Sequence, residues 1–171
     1  MVDLRKVTTG KLKLGKRILI YGQEGIGKTT FAAGAGRVLF LDLDRGSGEI
    51  SIQHRVSGID SWDEVLAWAD AAVNGETKID FDAIAIDSAT KLESMIHLHL
   101  LANNPTATIE DYGSGSEKGY GRGTTATVQQ LRILLEKLER IRAKGKHVIF
   151  TGHSVVRKFE DPKSTGWERY E

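Results

Sequence analysis

Eight consecutive residues, Gly22-Gln23-Glu24-Gly25-Ile26-Gly27-Lys28-Thr29, have the types and spacing needed to hold a phosphate. They satisfy G-x-x-x-x-G-K-[ST] in full. The glycines let the backbone curl with no Cβ in the way, so that successive N–H groups converge as an anion nest. A helix opening at Thr29-Thr30 adds partial positive charge at the same point. In such a loop Lys28 reaches the β- and γ-phosphates, and the Thr29 hydroxyl ligates Mg²⁺. The chemistry on offer is therefore the binding of a nucleoside triphosphate.

Cleavage needs more than a cradle, and three other places in the sequence offer it. Phe81-Asp82-Ala83-Ile84-Ala85-Ile86-Asp87 is an apolar run closing on a carboxylate, the Walker B pattern, which places Asp87 as the second metal-holding residue. Arg37-Val38-Leu39-Phe40-Leu41-Asp42 is a second such run, and Asp44 follows two residues on. Asp44 is the candidate base that orients the attacking water. Asp42 competes with it, since strand alternation puts both on one face with Leu43 opposite. The run His147-Val148-Ile149-Phe150-Thr151 ends near His153, which could donate a hydrogen bond to the γ-phosphate. His54, His97, His99 and His147 have no metal-ligating partners at suitable spacing.

These residues need a scaffold that brings strand ends together. Strands are expected at 17–21, 37–42, 83–87 and 147–151, with the first of them buried. Short ones are expected within 50–56 and around Val155-Val156 and Phe159. Ser61-Trp62-Asp63-Glu64 is a capping box, with Ser61 as N-cap and Glu64 at N3, opening a helix that stops at Asn74-Gly75. Further helices are expected over 89–102 and 124–144, the latter with Val128, Leu131, Leu135 and Leu138 on its apolar stripe. Strands alternating with helices imply one α/β domain with a mostly parallel central sheet covered on both faces. In such a sheet ligands sit beyond the carboxyl ends of the strands, which is where every chemical residue falls.

Composition limits the rest. Charged residues make up 27% and hydrophobic ones 40%, ordinary for a globular chain, and the formal net charge of +1 supplies no global pull toward nucleic acid. No apolar run approaches the roughly 20 residues of a membrane span. The absence of cysteine excludes disulfides and Cys-ligated zinc, and fits a cytoplasmic protein.

Taken together, the stretches at 18–31, 39–46, 85–88 and 148–153 resemble the RecA-like branch of P-loop ATPases. The likeness is greatest to phage-encoded nucleotide-binding proteins that act in recombination with, or as, single-strand annealing proteins. The resemblance implies a RecA-like three-layer sandwich over 17–171 after a lead-in of 1–16. It implies ATP at 22–30 (Gly22, Gln23, Glu24, Gly25, Ile26, Gly27, Lys28, Thr29 and Thr30), with Mg²⁺ at Thr29 and Asp87. Lys28, Asp44 and His153 would form the catalytic set, and a homo-oligomer would hold ATP at its subunit interface. That family has Glu at the Asp44 position, so Asp is one methylene short. Its core also runs on through further strands and a helix, so a shortened chain or a minimal version is expected here. A phage origin would place the protein in the host cytoplasm. Its two DNA loops correspond to 112–123 and 154–169, where Tyr120, Arg122, Arg157 and Lys158 are the candidate contacts. Aromatics interleaved with cations suit stacked single-stranded bases.

Three functions compete on these residues. The first is an ATPase acting on single-stranded DNA. The second is a nucleotide-gated interaction module with negligible turnover, favoured by the short Asp44. The third is a P-loop kinase, disfavoured because no arginine cluster lies between the Walker B strand and residue 121. No Asn-Lys-x-Asp guanine signature is present.

Overall fold

The structure is a computed structural model that describes residues 7, 9–103, 108–113, 121–154, 156–159 and 167–170, the last two stretches by backbone alone. Five strands form one sheet: β1 (Arg17–Gly22), β2 (Val38–Asp42), β3 (His54–Val56), β4 (Ala83–Asp87) and β5 (His147–His153). Their order is β1-β5-β4-β2-β3, and every neighbouring pair runs parallel. The architecture is the α/β P-loop NTPase type. All the carboxyl ends therefore open on one side of the sheet. Among the described residues, no helix is long and apolar enough to cross a membrane.

The helices divide unevenly between the faces. Leu39, Leu41, Ile84, Ile86, Val148 and Phe150 meet α2 (Trp62–Asn74), α3 (Ala89–Asn103) and α4 (Arg122–Ala143) in the larger core. The opposite face, Val38, Phe40, Ala83, Ala85 and Ile149, meets Ala32 of the short α1 (Lys28–Ala33), with Ala35 and Ile52 packed beside it. Continuous burial of β2 and β4 explains why those runs are apolar at every position before the closing aspartate rather than alternating.

Local signals act as their chemistry demands. Ser61 Oγ accepts from the Glu64 N–H at 3.3 Å, and Gly75 ends α2 at φ 76°. The Glu64 carboxylate reaches back to the Asp60 N–H, one residue before the N-cap. Trp62 is buried, and its indole N–H donates to Gln130 Oε1 of α4 at 3.0 Å, which locks α2 onto α4. Helix α4 starts at Arg122, earlier than expected, where Gly123 approaches the Ile109 carbonyl so closely that a Cβ would lie 1.9 Å from its oxygen.

Two expectations need correction. Strand β1 is an edge strand of this sheet and only half-buried, with Leu19 and Tyr21 more than half exposed. Apolar composition alone does not distinguish an edge from a centre. The buried line of α4 is Thr127, Leu134, Leu138 and Ile141, while Val128 faces outward. Strands β6 (Val156–Phe159) and β7 (Trp167–Tyr170) pair antiparallel in a separate two-stranded sheet, so the segment after β5 contains a hairpin.

Candidate nucleotide site

The loop 22–27 joins β1 to α1 with Gly25 at φ 79° and Gly27 at φ 90°, left-handed values that a side chain resists. This turns the chain back on itself at the helix N-terminus. Lys28 is buried, yet no carboxylate pairs with it among the described residues. Its Nζ instead donates to the Gly22 and Gln23 carbonyl oxygens at 2.9 and 2.8 Å. A cation folded over its own loop by neutral acceptors remains available to an anion. Gly22 and Gln23 thus contribute backbone oxygens, while Ile26 projects outward, 61% exposed.

Asp87 ends β4 beside this loop. Its Oδ2 accepts from the Thr29 hydroxyl at 2.9 Å, and its Oδ1 accepts from the Thr151 hydroxyl of β5. The carboxylate is thereby aimed at the loop with hydroxyls for partners and no positive charge. The insertion of β5 between β1 and β4 makes this possible. Thr151 escaped the sequence reading, although a lone hydroxyl ending the apolar run 148–150 was the signal that could have found it.

Asp44 and Asp42 separate clearly. Asp42 is buried and accepts from the Ser47 hydroxyl at 2.5 Å, which closes the turn behind it. Asp44 lies beyond the strand end, held where the Asp87 carbonyl oxygen accepts from the Leu43 and Asp44 N–H groups at 2.7 and 3.2 Å. Its Oδ2 is 3.3 Å from His153 Nε2, and both side chains are about one-third exposed, at 30% and 34%. The His153 N–H donates to Thr90 Oγ1 at 3.1 Å, a contact with no sequence signal.

These groups line a single cleft of about 620 Å³, walled by Glu24, Gly25, Gly27, Lys28, Thr29 and Thr30 on one side. Asp44, Asp87 and His153 wall the other, with Gly46 and Ile50 of the loop after β2. Gly46 and Ile50 were not anticipated. The donor set fits a triphosphate with Mg²⁺: inward N–H groups and an ammonium for the anion, and hard hydroxyl and carboxylate oxygens for the cation. Among the described residues, no group of three or more His, Cys, Asp or Glu could hold a metal by itself, which suits an Mg²⁺ whose other ligands are phosphate oxygens and water.

Of the candidate DNA contacts, Arg122 is the one whose side chain is described, and it is not among the residues that line this cleft. Arg122 opens α4 on the surface. Tyr120 lies outside the described residues, and so do the side chains of Arg157 and Lys158, whose backbone forms part of β6. The family model described as AAA domain matches residues 14–171. No curated protein matches the chain.

Proposed function

The chain belongs to the AAA domain family, and from that premise we propose that it binds ATP with Mg²⁺ in the cleft and hydrolyses it, Asp44 being the base. The observation that carries this reading is the single cleft shared by the loop, Asp87, Asp44 and His153.

The chain's own groups suggest the sequence of events. The loop N–H groups receive the phosphates, and Lys28 exchanges the Gly22 and Gln23 carbonyls for β- and γ-phosphate oxygens. Thr29 and Asp87 would hold Mg²⁺, which when bound neutralises charge developing on the phosphate oxygens. Asp44 takes the proton of a water that attacks the γ-phosphorus as the bond to the β-phosphate oxygen breaks. His153 exchanges its contact with Asp44 for the γ-phosphate and so reports whether that group is present.

The finer reading is that this cycle acts on single-stranded DNA in phage-type annealing or strand exchange. It includes a homo-oligomer with ATP between subunits and a 1–16 lead-in before a 17–171 core. Its support is the cation and aromatic content of 112–123 and 154–169. The His153–Asp44 contact favours a second reading, a nucleotide-gated module with negligible turnover, because it engages one carboxylate oxygen of an acid already one methylene short of Glu.

The test is phosphate release by wild type and Lys28→Ala, with and without single-stranded DNA. Lys28-dependent ATP binding and release support the proposal, and stimulation by DNA supports its finer form. Tight ATP binding without release, unchanged in Asp44→Glu, selects the gated module. ATP binding unaffected by Lys28→Ala sinks both.

A further inference from the structure

Asp44 belongs to two cavities. Beyond its far side lies a second, smaller one of about 380 Å³, bounded by Leu43, Asp44, Arg45, Asp60 and Lys91. Two residues in its wall defy the local preferences of the backbone that carries them. Arg45 sits at φ 56°, a left-handed conformation uncommon for a residue with a long side chain. Lys91 occupies the first turn of α3, where the helix dipole repels a cation, and no acidic residue there compensates it. Its N–H donates to the capping Ser88 Oγ at 3.3 Å, which fixes the turn, and among the described residues no carboxylate pairs with its ammonium. Two unfavourable placements that converge on one cavity mark a site rather than chance.

The geometry points to a phosphate-binding effector subsite formed by Arg45 and Lys91, whose occupation is read at Asp44. This inference rests on the nucleotide-site reading for its consequence, though not for its binding. In the present arrangement Asp60 stands in for the ligand, its Oδ1 paired with Arg45 Nη2. Both side chains of that pair are more than 60% exposed, so the pair is a weak one and easily exchanged. An incoming phosphate displaces Asp60 and accepts hydrogen bonds from the Arg45 guanidinium and the Lys91 ammonium. Arg45 lies between Asp44 and Gly46, both in the wall of the nucleotide cleft. Its movement therefore shifts the base relative to His153. Occupation of either cavity must then alter affinity at the other by the same factor.

The phosphate could be free or part of a polynucleotide backbone. The probes are therefore inorganic phosphate, followed by calorimetry, and a labelled single-stranded oligonucleotide, followed by anisotropy. They are applied to the full chain and its Lys91→Glu and Asp60→Asn variants, all altered at exposed positions. Lys91→Glu is expected to weaken the bound probe roughly tenfold or more, and Asp60→Asn to tighten it severalfold by freeing Arg45. Saturating probe should change ATP affinity by about fivefold or more in wild type and not in Lys91→Glu. Binding of both probes identifies the phosphate group itself as the ligand, and binding of the oligonucleotide alone identifies its backbone. Equal binding by wild type and Lys91→Glu, or no binding of either probe, overturns the subsite. Lys28→Ala keeps the two ideas apart, because ATP binding indifferent to that change condemns the nucleotide-site reading while Lys91-dependent probe binding still upholds the subsite.

Discussion

The two ends of the sheet use their charges in opposite ways. At the amino ends, charge is matched by charge. Arg37 bridges Asp80 and Asp82, its guanidinium donating to both Asp82 oxygens, and so ties the start of β2 to the start of β4. Arg17 pairs with Glu139. Lys146 Nζ lies 3.8 Å from the Asp80 carboxylate. At the carboxyl ends, the two charges at the phosphate loop are held by neutral groups: Lys28 by two carbonyls, Asp87 by two hydroxyls. A charge held by neutral partners is fixed in place but not cancelled, so it can still bind an ion. The amino ends are built for holding strands together, and the carboxyl ends for receiving a ligand.

The largest expected consequence lies at the base. Asp44→Asn should lower the rate of ATP hydrolysis by roughly 10²- to 10⁴-fold, the usual worth of a positioned base, with ATP affinity retained. Single-turnover phosphate release measures it, and an unchanged rate removes Asp44 from the chemistry. Next comes Lys28→Ala, for which ATP affinity should fall by about 10- to 150-fold, the value of a charge-assisted hydrogen bond left unmade. Titration with a fluorescent ATP analogue checks this.

Thr151→Val should have a subtler effect, because it leaves one oxygen of the buried Asp87 without its hydroxyl. The Mg²⁺ concentration for half-maximal ATP binding should rise severalfold, on the order of the 1 kcal/mol of one hydrogen bond. Affinity at saturating Mg²⁺ should barely change. At the amino ends, Arg37→Ala should shift the midpoint of chemical denaturation only slightly, because its partners are exposed. ATP affinity should be untouched, and a loss there would erase the contrast between the two ends.

The smallest effect is in acid. Hydrogen bonding from Arg37 holds the Asp82 carboxyl down to about 2, below the ordinary 3.8. A folded value below the unfolded one means that the contribution is complete above 3.8 and is lost as pH falls toward 2. Asp82→Asn should therefore flatten the acid limb of a denaturation curve in that window. A limb identical to wild type would remove Asp82 as its source.

Much of the fold was legible because its signals are local. Runs such as 38–41 and 83–86 are apolar at every position, as strands buried on both faces are, and Ser61, Gly75 and Gly145 punctuate helices through their own backbone chemistry. The edge position of β1 was not legible, because Ile18-Leu19-Ile20 reads the same whether or not a neighbour covers it. Thr90 and Ile50 were invisible for a related reason. Nothing in their own neighbourhood distinguishes them, and their roles come from residues far along the chain.

By itself, then, the sequence determined the phosphate loop, the strand-ending carboxylates and the parallel α/β plan, since each follows from residue types a few positions apart. Only the tertiary structure decided between Asp42 and Asp44. Alternation makes them equivalent, but the Ser47 hydroxyl draws Asp42 into the protein, while the Asp87 carbonyl fixes the chain so that Asp44 meets His153. It also decided that Asp87 is aimed by Thr151, because β5 crosses between β1 and β4. Spacing along a chain fixes what its neighbours can do together. Which distant groups become neighbours depends on the order of strands in the sheet, and hydrogen bonds across that order select the residues that face the ligand.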